Sequence, residues 1–263
     1  MRTALILASL CLGLCCAPLH AAPASVYLQE LSSSQVRDAI SAGQRTIILP
    51  VGGTEQNGPH MALGKHNFRA HALAGRIAAE LGNALVAPVL AYVPEGRISP
   101  PTEHMRYAGT ISIPEQAFKA VLDGAARSLA QHGFTDIVLI GDSGNYQAAL
   151  HAVADGLNRS WKAGPARAHY IAQYYNAGQQ PFIRLLREHG LNESQIGTHA
   201  GAADTALMLA VDPGRVQTEK MRPGAPGVSG DPSRASAELG RLGTDLIVHQ
   251  SVAAIRGATA APR

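Results

Sequence analysis

Two short apolar runs, residues 46–51 and 136–140, set the first limit on the fold of this chain. Each is rich in β-branched residues and too short for a helix of its own. Each also ends in a polar, glycine-containing loop that leads into a segment of helical spacing. Strands that are apolar along their whole length are buried on both faces, which calls for a parallel sheet covered by helices on either side. The rest of the sequence keeps the alternation. Residues 67–81 carry apolar side chains at helical spacing, and 84–90 return to strand character. The clearest helix has Pro114 in its first turn, Phe118, Val121, Leu122, Ala125 and Leu129 on one face, and Gly133 just past its end. Further helices are predicted over 146–161, 181–189, 200–210 and 233–256, with a strand over 168–174 and a Pro/Gly-rich surface excursion over 221–232. There is no internal repeat. The expected architecture is a three-layer αβα sandwich with a mostly parallel central sheet.

With 263 residues, 46% hydrophobic and 16% charged, the chain is long and apolar enough for one sizeable α/β domain, expected over residues 23–263. The net charge of +3 comes from scattered lysines and arginines, so nucleic acid is not an expected partner. Arg2, the apolar residues 4–17 and the small-residue stretch Leu19-His20-Ala21-Ala22 read as a secretory signal peptide over residues 1–22. The mature protein is then expected outside the cytoplasm, in the periplasm. A lipoprotein signal at Leu12-Gly13-Leu14-Cys15 is the competing reading, and the large residue before Cys15 argues against it. All three cysteines lie in this segment, so a metal would be held by nitrogen and oxygen ligands alone. No later segment is apolar and long enough to cross a membrane, and the mature form is expected to have no membrane partner.

The loop after the first run reads Pro50-Val51-Gly52-Gly53-Thr54-Glu55-Gln56-Asn57-Gly58-Pro59-His60, continuing to Lys65-His66. It places Glu55, His60 and His66 at the C-terminal end of a strand, where an open α/β sheet collects its ligands. Carboxylate and imidazole together suit metal binding or acid/base work. Gly141-Asp142-Ser143-Gly144-Asn145 is a second loop of this kind. Ser143 as a hydrolase nucleophile is a minor option, because Asn145 stands where the nucleophile elbow needs its second glycine.

Glu55-Gln56-Asn57-Gly58-Pro59-His60 resembles the Glu-Gln-His-Gly-Pro-His signature of the creatininase family. Glu103-His104, Gly109-Thr110-Ile111-Ser112, His199-Ala200-Gly201 and Asp204-Thr205 are similar to its later motifs, in the same order. The resemblance implies a three-layer α/β fold, ring-shaped homo-oligomers that are often hexamers, and metal-dependent hydrolysis of C–N amide bonds in small cyclic or formylated compounds. It also implies two divalent metals held by a Glu and a His of the first motif, a bridging Asp, and an Asn-Gly-His loop. Here Asn57 stands at the His and His66 at the bridging Asp. The loop His falls on Ser143 or Asp142, depending on register.

A neutral imidazole offers one lone pair to one ion, so His66 does not replace a bridging carboxylate. The expectation is therefore a rebuilt one-ion site, with Glu55, His66 and Asp142 holding a single Zn²⁺ or Mn²⁺ per subunit. His199 is the expected catalytic proton carrier, supported by Asp204. His60, Glu103, His104 and Ser143 are expected around the substrate. His60 equally suits a loop-pinning role, and Glu103-His104 a solvated loop. Lys65 either holds a substrate carboxylate or lies exposed. The function expected is a metal-dependent amidohydrolase acting on a small cyclic amide, lactam or formamide. The alternative is a metal-depleted relative that only binds a small ligand or assembles. Creatinine is a doubtful substrate, since Trp161 is the one tryptophan and creatininases proper cover theirs with a pair.

Overall fold

The computed structural model describes residues 25–260; the expected signal segment lies outside them. In chain order the elements are α1 (Ser33–Ser41), β1 (Thr46–Val51), α2 (Lys65–Leu81), β2 (Ala84–Val86), α3 (Glu115–Gln131), β3 (Asp136–Gly141), α4 (Gln147–Ser160), β4 (Arg167–Tyr170), α5 (Ala172–Ala177), α6 (Gln180–Glu188), α7 (Glu193–Ile196), α8 (Ala202–Val211) and α9 (Ala237–Thr259). The four strands form one parallel sheet in the order β2-β1-β3-β4. Every residue of β1 and β3 is buried, as continuous apolar runs in a covered sheet require.

The strand period of two sorts these residues between two cores. Ile48, Val138 and Ile140 face Leu73 and Ile77 of α2, Phe182 of α6 and Ile247 of α9. Ile47, Leu49, Ile137 and Leu139 face Phe118 and Leu122 of α3 and Leu150 and Leu157 of α4. The result is the expected layering of helices, parallel sheet and helices. No helix among the described residues is long and apolar enough to cross a membrane.

Three boundaries differ from the sequence expectation. The strand predicted over 84–90 ends at Val86; Leu90 returns only as an isolated bridge to Val51. The strand predicted over 168–174 stops at Tyr170, and the chain turns at Ile171 into α5. The last helix begins at Ala237, capped by Ser236, rather than at residue 233.

The strand order places the site. From β1 the chain moves outward to β2, then returns past β1 to lay down β3 on its other side. The ends of β1 and β3 therefore form a switch point, the crevice where open α/β sheets bind ligands. Val51 pairs with Gly141, so the two loops begin side by side.

Candidate active site

Tyr146 ties the two loops together at their roots. Its buried hydroxyl donates towards the carbonyls of Val51 and Gly52, at 3.0 and 2.5 Å, and accepts from the backbone N–H groups of Asp142 and Ser143 at 3.1 and 2.9 Å. On the other side, Asn67 of α2 accepts from the N–H of Gly53 at 2.9 Å. Gly52 is required there, because a Cβ would lie 2.1 Å from the Asn67 Oδ1. The start of α2 is thereby pressed against the loop that carries Glu55.

That helix opens with Lys65, His66 and Arg69, all buried, at the end where the backbone dipole disfavours positive charge. Carboxylates from three other segments offset this in a closed ring of six side chains. Glu55 Oε1 meets His66 Nε2 at 2.8 Å, and His66 Nδ1 meets Asp142 Oδ1 at 2.5 Å. Arg69 donates to Asp142 from Nη2 at 2.5 Å and from Nε at 2.9 Å, and to Asp204 from Nη1 at 2.8 Å. Lys65 Nζ donates to Asp204 at 2.8 Å and lies 3.5 Å from Glu55, which closes the circuit.

Burial opposes the charges of Glu55, His66, Arg69, Asp142 and Asp204, and their neighbours outweigh it. The charges of His66 and Lys65 hold Glu55 well below the usual carboxylate range. Arg69 and His66 lower Asp142, and Lys65 and Arg69 lower Asp204 further. Burial and Lys65 push His66 down, but Glu55 and Asp142 carry it above its ordinary value; each ring nitrogen faces a carboxylate oxygen, so both act as donors.

The structure thus brings Glu55, His66 and Asp142 together, but not around a common point. Both nitrogens of His66 are committed to carboxylates, and both oxygens of Asp142 are engaged, Oδ2 accepting from Tyr174 at 2.9 Å. Both nitrogens of His66 are thus taken up, and Asp142 turns its Oδ1 to His66 and Arg69 rather than to a point shared with Glu55. Among the described residues the group that converges is Glu55, His104 and His199, whose ligand atoms lie within 4.8 Å of one another. His104 Nε2 is 3.3 Å from Glu55 Oε2, and His199 Nδ1 is 3.8 Å from Glu55 Oε1. His199 donates from Nε2 to the carbonyl of Gln56 at 2.9 Å, which leaves the Nδ1 lone pair facing Glu55. Burial, then the charge of Lys65, lowers its pKa to about 4, so it is neutral at pH 7.

The remaining expected residues fall around this core. His104 and Ser143 line a polar cavity of about 250 Å³ together with Glu55, Asn145, Gln179 and His199. Glu103 is exposed and does not line it. His60 is fully buried and meets the Thr205 hydroxyl at 2.9 Å, which pins the first loop to α8. Asp204 supports His199 through the following residue, accepting from the N–H of Ala200 at 2.9 Å. Lys65 is neither exposed nor free, since both of its partners are carboxylates of the chain. Asn57 is a brace: its amide donates to the carbonyls of Glu55 and Ala62 at 2.9 and 3.1 Å.

Sequence reasoning missed Arg69 and Glu95. The first was open to detection, since Lys65, Arg69, Leu73 and Ile77 recur every four residues and so share one buried face of α2. Glu95 gave no such signal. It is completely buried behind the site and accepts from Asn145 at 2.7 Å. Burial and the charge of Glu55 push its pKa up to about 8. Its folded form thus holds a proton that the unfolded chain releases near 4.5, so this group costs stability as pH rises from about 4.5 through 8. Glu95→Gln keeps a neutral donor and removes that loss. Melting temperatures measured from pH 5 to 9 are expected to show the variant gaining on the wild type as pH rises, and a constant difference would refute the assignment.

Residues 29–255 match the creatininase (creatinine amidohydrolase) family. The chain belongs to the creatininase family. The mycofactocin precursor peptide peptidase of Mycobacterium tuberculosis is 30% identical over 230 residues, covering 74% of this chain and 78% of the relative. The creatinine amidohydrolase of Pseudomonas putida is 28% identical over 258 residues, covering 88% and 96%. A solved structure described as "Creatininase Mn" superimposes with a TM-score of 0.75 at 25% identity, covering 90% of this chain and all of that one. Family membership makes the chain a hydrolase of the amidohydrolase type, with the creatininase fold.

Proposed function

We propose that this creatininase-family protein hydrolyses a C–N amide bond in a small molecule, using one divalent ion held by Glu55, His104 and His199. The observation that carries this reading is the convergence of one carboxylate and two imidazoles on one point at the switch-point crevice. That donor set suits Zn²⁺ or Mn²⁺, and a three-ligand site leaves a position open to water or substrate. His199 fits as it stands, its free lone pair fixed by the bond from Nε2 to Gln56. The family's two-ion set does not fit here, because no imidazole stands at Asn57 and both nitrogens of His66 face carboxylates of the ring.

When bound, such an ion polarises the scissile carbonyl and lowers the pKa of water. The chain's own residues do the rest. His66, protonated on both nitrogens, fixes Glu55 through Nε2–H. Lys65 and Asp204 hold the Ala200 turn and so the ring of His199. Ser143, Asn145 and Gln179 supply donors and acceptors to the amide from the cavity wall. Glu95 keeps a proton behind Glu55 up to about pH 8, a reserve for the departing nitrogen.

A lactam, cyclic amide or formamide suits the size of the cavity. Export follows the signal-like residues 1–22. A homo-oligomer is favoured by exposed Tyr92, Ile98, Tyr107 and Ile111 on the segment that carries His104.

A second reading, a relative that binds without an ion, rests on the ring itself. Its three cations and three carboxylates already balance. Elemental analysis of purified protein, stripped with chelator and reloaded with Zn²⁺ or Mn²⁺, separates the two. One ion per subunit, with amidase activity lost on stripping and restored on reloading, is the expected result. No bound ion and no response to either metal would replace the first reading with the second.

A further inference from the structure

Behind His199 the polar cavity gives way to a smaller chamber of about 130 Å³. The two share seven lining residues, among them Arg69, Asp142, His199 and Asp204. The far wall has a different chemistry: Ile183 of α6, Ile196 of α7, Leu207 of α8 and Ile247 of α9 line it, with the backbone of Gly178 at one side. A recess that is charged at its mouth and aliphatic at its end is shaped for an amphipathic ligand. Apolar cavities of about 150 Å³ accept a benzene ring, so this one takes a branched aliphatic group of about four carbons.

We propose that the substrate is an amide whose acyl side carries such a compact branched aliphatic group, seated in this chamber while the amide lies between His199 and Glu55. The proposal rests on the amidohydrolase reading for the reaction, and on the chamber alone for the selectivity. Gly178 offers a way to fill the recess. Its φ of −73° suits any residue, and a Cβ would meet Ile247 Cδ1 at 3.6 Å and the Tyr175 carbonyl at 3.5 Å, ordinary contacts.

The test compares acetamide with isovaleramide, by ligand-observed NMR for binding and by ammonia release for turnover. Three further carbons buried in the chamber should make isovaleramide bind about 10- to 50-fold more tightly to the wild type. In Gly178→Val the gap should shrink below about threefold, with acetamide affinity and melting temperature unchanged. Cyclohexanecarboxamide, too large for the recess, should lose the advantage on the wild type, a measurement that needs no variant. Equal binding of acetamide and isovaleramide to the wild type, or a gap that survives in a folded Gly178→Val, overturns the proposal. Selective binding without ammonia release upholds the chamber and defeats the hydrolase reading instead.

Discussion

Asp142→Ala is expected to lower stability by about 3–5 kcal/mol, the largest structural effect of any single change at the site. The reason is what the substitution leaves behind. Asp142 accepts two bonds from Arg69, one from His66 and one from Tyr174, all buried. Removing it strands the Tyr174 hydroxyl and takes one of the two carboxylate partners from both Arg69 and His66. A buried cation with half its partners gone costs more than the ion pair gained when intact. For a chain of this length the loss is about 6–20 °C in melting temperature. Asp142→Asn keeps the shape and one acceptor and should cost less. Calorimetry of both variants checks the ordering, and a fall of under about 3 °C for Asp142→Ala would show that the ring is slack. The contribution is pH-dependent. Asp142 and Asp204 have folded pKa values below their ordinary ones. Their stabilisation is therefore present above about pH 4 and drains away as pH falls through the folded values.

Glu55→Gln is expected to remove activity by more than about 100-fold, beyond the 10- to 100-fold typical of residues that act through a ligand. The amide matches the carboxylate in size, so the cavity keeps its shape, but it lacks the charge that faces His66, Lys65, His104 and His199. Two readings separate a chemical from a structural failure. Bound metal should fall together with kcat/KM, and the melting temperature should fall by less than in Asp142→Ala, since Lys65 keeps Asp204 and His66 keeps Asp142. Full metal content with lost activity would move Glu55 from ligand to proton carrier. Unchanged activity would remove it from the site.

The two central strands and their loops were legible in the sequence because fully buried strands leave uninterrupted apolar runs, as at 46–51 and 136–140. The end of β4 was not. Ala168 to Tyr174 reads as one strand, yet the chain bends at Ile171 so that Tyr174, on α5, reaches the Asp142 carboxylate. A tertiary contact decides that boundary, and local composition carries no trace of it. The site divides in the same way. Glu55, His104 and His199 stand out through their motifs, but which side chains share an ion depends on which lone pairs are already spent. Arg69 and Tyr174 turn the Asp142 carboxylate into the ring, and neither is near it in sequence. His66 stands out in the sequence as an odd residue in a ligand position. Only its two carboxylate neighbours show it to be a bridge between them.

The ring has a consequence for the register of α2. Lys65, His66 and Arg69 each meet two of three carboxylates, in the loops after β1 and β3 and at the start of α8. Sliding the helix by one residue turns it by about 100° and shifts it by about 1.5 Å. Its apolar side resists such a slip through packing, with Leu73 and Ile77 in the core and Gly75 close against Tyr27. The charges do not tolerate it: a one-residue error would bury three cations away from every carboxylate that answers them. The ring is thus a keyed stop, admitting one seating of α2 against the sheet and with it one placement of Glu55.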